Sequence, residues 1–88
     1  MSISKQFEKK MLKQMKRIFD YDNKIKVKVT KSFKEYKTTI QGTITVNYNI
    51  LYLDSLLKPI IPYILTISTS TREMIFDFVV LKESLKED

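Results

Sequence analysis

The sequence predicts an α+β domain: an N-terminal helix packed on one face of a four-stranded antiparallel sheet, in the order α-β-β-β-β. Three observations carry this. Apolar residues near the start recur at spacings of three and four, the helical period. From residue 24 onward the period falls to two, that of a half-buried strand. No second amphipathic helix is present, so the helix stripe and the apolar sheet face must bury each other.

The helix is expected over residues 4–20. Phe7, Met11, Met15 and Ile18, with Leu12 and Phe19 beside them, fall within an arc of about 140° at 100° per residue. Lys5, Lys9, Lys10, Lys13, Lys16 and Arg17 fall on the opposite arc. Ser2 or Ser4 supplies an N-cap, and the run Asp20-Tyr21-Asp22-Asn23 is turn chemistry that ends the helix. Glu8 borders the stripe and reads as a helix-edge carboxylate, paired with Lys5 or with backbone near Leu12.

The first strand is expected at 24–33. Ile25, Val27, Val29 and Phe33 point one way, and Lys24, Lys26, Lys28 and Thr30 the other. Lys34 and Glu35 read as a hairpin connection. The second strand, 36–50, sets Ile40, Ile44, Val46, Tyr48 and Ile50 against a polar face of Thr, Gln and Asn. Gly42 falls on the apolar side, which marks a bulge or a close approach of the helix. Asp54 is placed to cap a short turn that stops before Pro59. A third strand is expected at 60–70, with Pro62 keeping its start at an edge, and a fourth at 73–81 after a turn near Thr71 and Arg72. The charged tail, 82–88, is expected to fray.

Composition narrows the function. The 88 residues form one domain, with no Cys, no His, no Trp and one Gly. That leaves no zinc finger, thiol nucleophile, disulfide or imidazole base, and no Gly-rich phosphate loop. The absence of Cys fits a reducing compartment. Asp20 and Asp22 resemble the start of a calcium loop, but the Gly and Glu required further on are missing. No metal, no cofactor and no enzymatic activity are therefore expected. The longest uncharged run, residues 38–53, is rich in Thr and Asn and too short to span a bilayer. The start of the chain lacks the apolar core of a secretory signal and is poor in Arg for a mitochondrial presequence. A soluble, cytoplasmic protein is expected.

Charge is uneven. The chain carries +6 in all; residues 1–37 carry +8 and residues 38–88 carry −2. Lys9, Lys13, Lys16, Lys26 and Lys28 are the candidate contacts to an anionic partner. The same lysines also serve as a solvated helix face and as protection for a strand edge. With 14 Lys against 2 Arg, the chain lacks the rigid forks of a sequence-specific DNA reader. An RNA-recognition sheet needs aromatics on its open face, whereas Tyr48, Tyr63, Phe76 and Phe78 fall on the helix side by parity.

Parity also strands apolar groups on the outer face. Ile75, Val79 and Leu81 on the fourth strand and Ile64 on the third point away from the helix, with Leu51 and Leu53 extending the set. Such a patch marks an interaction surface unless a connection folds over it. The sequence thus points to a non-enzymatic protein-interaction module, an accessory or inhibitor-type protein that works by surface occlusion. Ile64, Ile75, Val79 and Leu81 would supply burial, the lysines would steer towards an acidic partner, and a two-fold homodimer is the simplest assembly. The alternative is a non-sequence-specific nucleic-acid binder using the same lysines on phosphates. Membrane attachment would require the helix to undock from the sheet.

Overall fold

The structure, a computed structural model, describes residues 2–20, 23–47, 63–69 and 72–86. It is α+β, with one N-terminal helix packed on an antiparallel sheet. The helix α1 spans Ile3–Ile18. Ser2 is its N-cap and accepts the Lys5 N–H at 3.3 Å. Lys16 and Arg17 lie in the last turn, where cations complement the helix dipole. The Phe19 N–H closes that turn on the Met15 carbonyl at 3.1 Å, one residue short of Asp20. Phe7, Met11 and Met15 are buried along the predicted stripe, and Phe19 follows them into the core.

Strand β1, Val27–Glu35, pairs antiparallel with β2, Thr39–Val46, and β2 pairs antiparallel with β4, Met74–Leu81. Strand β3, Ile64–Thr69, lies antiparallel along the far side of β4, which gives the order β1-β2-β4-β3. The short link between β3 and β4 makes them hairpin neighbours, and the longer stretch after β2 lets β4 take the place beside it. The expected strand segment 48–50, the turn at Asp54, the strand start at 60 with Pro62, and Leu51 and Leu53 lie outside the described residues.

Several expectations need correction. Lys34 and Glu35 are not the hairpin connection, because both remain in the β1 ladder, opposite Gln41 and Ile40. The turn lies at 36–38, closed by the Tyr36 N–H on the Thr39 carbonyl at 2.7 Å. The tail is not frayed over 82–86. Lys82–Lys86 form a 3-10 turn, the Ser84 hydroxyl donates to the Leu81 carbonyl at 2.7 Å, and Leu85 packs against the core. Gly42 is not approached by the helix. A Cβ there would fall inside the Phe33 ring, so the missing side chain makes room for Phe33. The bulges lie on the partner strand. One register shift in β1 falls between Val29 and Lys31 and another between Lys31 and Lys34. The first reverses the alternation of side chains and the second restores it. Phe33 therefore points inward as parity predicts, and Lys31 does not.

The core sits between α1 and the inner sheet face. Phe33, Ile40, Ile44, Val46, Met74, Phe76, Phe78 and Val80 are buried there. Phe33 bridges the layers, with its ring centroid 5.7 Å from that of Phe7 and 5.6 Å from that of Phe78. The helix lies mainly against β1.

Candidate interaction face

Directly opposed residues of antiparallel strands share a face, so the register assigns each outward side chain. Along β1 the outward positions that have a register partner on β2 are lysines, and Thr30, in the first bulge, also turns outward. Lys28 stands opposite Thr45, Lys31 opposite Thr43 and Lys34 opposite Gln41. Lys26 continues the row opposite Asn47, whose N–H donates to the Lys26 carbonyl at 3.2 Å while its Oδ1 accepts the Lys26 N–H at 2.6 Å. All four lysines are exposed. Without the two bulges, Lys31 would point into the core. With them, a lysine occupies each outward rung, about 7 Å from the next.

The middle of this face is low. Thr43 and Thr45 point away from the helix, yet they are only 6% and 8% exposed. The Thr30 hydroxyl pairs with the Thr45 hydroxyl at 2.9 Å and donates to the Thr43 carbonyl at 3.3 Å. The Thr43 hydroxyl donates to Asp77 Oδ1 at 2.7 Å. These short, mutually bonded side chains form a floor between taller rows. On the far side, β4 turns Ile75, Asp77, Val79 and Leu81 outward, alternating with the buried Met74, Phe76, Phe78 and Val80. The two walls stand two strand spacings apart, about 10 Å. One groove of ≈ 600 Å³ runs between Lys31, Lys34 and Tyr36 on one side and Val79 on the other. A second, of ≈ 490 Å³, runs between Lys28, Lys31 and Ile75. Thr43 and Asp77 line both, so the face is one trough.

The predicted residues distribute unevenly. Ile75 and Val79 are half-buried on the β4 wall, and Leu81 is 58% exposed. Asp77 interrupts this aliphatic row, and parity alone places it there. Ile64 is not part of it. A register shift between Ile64 and Thr66 sets Ile64 opposite the buried Phe78, and it packs on the core side. Lys26 and Lys28 belong to the β1 wall. Lys9, Lys13 and Lys16 lie on the exposed side of α1, which covers the other sheet face, so the five lysines do not form one surface. Lys13 and Lys16, with Arg17, border a separate groove of ≈ 470 Å³ beside Ile25 and Val27.

Sequence reasoning missed Lys31, Lys34 and Tyr36. The signal for the first two was present: Lys31 breaks the apolar series Ile25, Val27, Val29, Phe33, and the lysines at 28, 31 and 34 recur every third residue within a strand. Tyr36 is 51% exposed at the turn end of the trough. Among the described residues, no cluster of three His, Cys, Asp or Glu side chains is arranged to hold a metal ion. No described helix is long and apolar enough to cross a membrane.

The fold and the trough define a small α+β domain with one amphipathic outer face. No family model, no curated protein and no solved structure matches this chain.

Proposed function

We propose that this protein is a small interaction module that works by occupying the surface of a larger, acidic protein partner, through the trough and without chemistry of its own. The reading takes β3 as the fourth strand of a four-stranded sheet. One observation carries it. Among the described residues the large exposed apolar side chains are Tyr36 and Leu81, and both flank the same end of the trough. Leu81 is the register partner of Thr39, and Tyr36 is hydrogen-bonded to Thr39. An aromatic and an aliphatic anchor beside a cationic rim match the anatomy of a protein interface.

The charge favours a different protein over a second copy. In either two-fold stacking of this face, the lysine row meets another lysine row or the mostly aliphatic β4 wall, and neither neutralises it. The chain is therefore expected to be monomeric by light scattering at high micromolar concentration. A photo-cross-linking leucine analogue at position 81, which keeps the branched apolar side chain, used in the source cell, is expected to capture one protein, and Val79→Lys is expected to abolish capture. The same residue at Lys10, on the helix surface, is expected to capture nothing specific. Equal capture from both positions would sink the reading, as would a stable homodimer lost on Val79→Lys.

Tyr36 beside Lys31 and Lys34 also supports a second reading, a single-stranded nucleic-acid platform in which the ring stacks on a base. The aliphatic side chains of Ile75, Val79 and Leu81, which a nucleic-acid strand would leave uncovered, count against it.

A further inference from the structure

We propose that the trough receives an amphipathic helix of the partner, acidic along one flank and aliphatic along the next; this rests on the interaction reading above. The walls set the shape of the occupant. The strands that carry them lie about 10 Å apart, axis to axis, so a helix about 10 Å wide laid along β2 reaches both rows with its flanks. Thr43 and Thr45 have short side chains whose hydroxyls are already paired, with Asp77 and with Thr30, so a helix can approach closely without stranding either. The lysine row runs about 20 Å from the Lys26 rung to the Lys34 rung, the length of about 14 helical residues, with the exposed Asn47 and Gln41 of β2 at its two ends.

The walls also set the chemistry. Lys26, Lys28, Lys31 and Lys34 make no ion pair among the described residues, whereas Lys5 and Lys82 hold Glu8 and Glu35. The β1 row is thus a standing positive edge, matched by carboxylates on one flank of a helix. Ile75, Val79 and Leu81 make up most of the opposite wall, matched by Leu or Ile on the adjacent flank; Asp77 between them and Glu73 beside Ile75 keep the carboxylates of the helix on the β1 side. A single-stranded nucleic acid would use the lysines but leave the aliphatic wall uncovered. A helix laid here gives the sheet a layer on each face.

The probe is a synthetic helical peptide of about 16 residues with Glu along one flank, Leu along the next and one terminal Trp. The chain has no Trp, so Trp emission reports the peptide alone. The patterned peptide is expected to bind at least about tenfold more tightly than a scrambled peptide of the same composition, and to weaken as salt rises. Lys31→Glu with Lys34→Glu is expected to lower affinity about tenfold, and the neutral pair Lys31→Gln with Lys34→Gln less so. Lys13→Glu, on the far side, is expected to leave it unchanged. Equal binding of patterned and scrambled peptides, or binding of neither, overturns the proposal. So does oligothymidylate binding that displaces the peptide and is lost with the same lysine pair. Failure of the peptide test with an intact adduct at position 81 overturns the helix alone. Loss of the adduct overturns the interaction reading itself.

Discussion

The carboxylate of Glu8, on α1, accepts the backbone N–H of Phe33, on β1, at 3.1 Å. The contact joins the two layers where β1 is displaced by its second bulge, and a bulge leaves ladder groups in need of other partners. Lys5 holds the other carboxylate oxygen at 3.4 Å, but its own side chain is 51% exposed, so that pair adds little. Glu8→Ala would leave the Phe33 N–H without its acceptor and is expected to cost about 1–2 kcal/mol, read as a lower urea midpoint. Glu8→Gln keeps an oxygen in place and is expected to recover most of that loss. Equal midpoints for Ala and wild type would show that the contact does not stabilise the fold.

Gly42 and Phe33 share one volume. The Phe33 ring occupies the space a Cβ on Gly42 would need, and it is itself fixed between Phe7 and Phe78. Gly42→Ala is expected to destabilise by about 1–3 kcal/mol, the range for overpacking a filled core. Phe33→Ala removes the Cγ, Cδ1 and Cε1 atoms that crowd the position, so the double variant is expected to be more stable than the sum of the single effects implies. A double-mutant cycle in urea measures the coupling, and strict additivity would refute the shared volume.

How much of this was legible in the sequence depends on what each residue reports. The helix was readable because Phe7, Met11 and Met15 repeat at its period, and the β4 faces because Met74 to Leu81 alternate without interruption. Ile64 was assigned to the wrong face because a single shift at Ile64–Thr66 reverses parity, and neither residue type signals a bulge. Phe33 was assigned correctly only because two shifts cancel. The Lys31–Lys34 row was written in the sequence as a three-residue period, but a period of three fits neither template and acquires meaning only once the bulges are placed. The separation of Lys9, Lys13 and Lys16 from Lys26 and Lys28 follows from which sheet face α1 covers. The apolar inner residues dictate that, and the lysines themselves do not.

Thr43 has a structural role distinct from its neighbours on the solvated strand face. Its hydroxyl donates to Asp77 Oδ1 at 2.7 Å and the residue is only 6% exposed. Thr43→Val keeps the shape and removes that donor from a half-buried carboxylate. The expected cost is about 1 kcal/mol or slightly more, since hydrogen bonds to charged groups exceed the neutral average. Thr39→Val, at the rim of the sheet, is expected to cost less than about 0.5 kcal/mol. Thermal or urea unfolding of the two variants side by side decides whether the floor of the trough is a fixed element or an incidental one.

Leu81 and Leu85 are the same residue type four positions apart, and they should behave oppositely. Leu81 is 58% exposed on the outer wall, whereas Leu85, carried back by the 3-10 turn, is half-buried against the core near Ile3 and Phe7. Leu81→Ser is expected to leave stability within about 0.5 kcal/mol while abolishing capture from a cross-linker placed at Tyr36. Leu85→Ser is expected to cost about 1–2 kcal/mol, because it removes apolar contact that the surroundings cannot fully collapse upon. Its surface chemistry is remote from the trough, so capture at a concentration of folded protein matched to wild type is expected to persist. The two midpoints and the two capture yields form a crossed pattern. A tail without contacts would give Leu85→Ser the wild-type midpoint, and a solvated, functionless outer wall would give Leu81→Ser the wild-type yield.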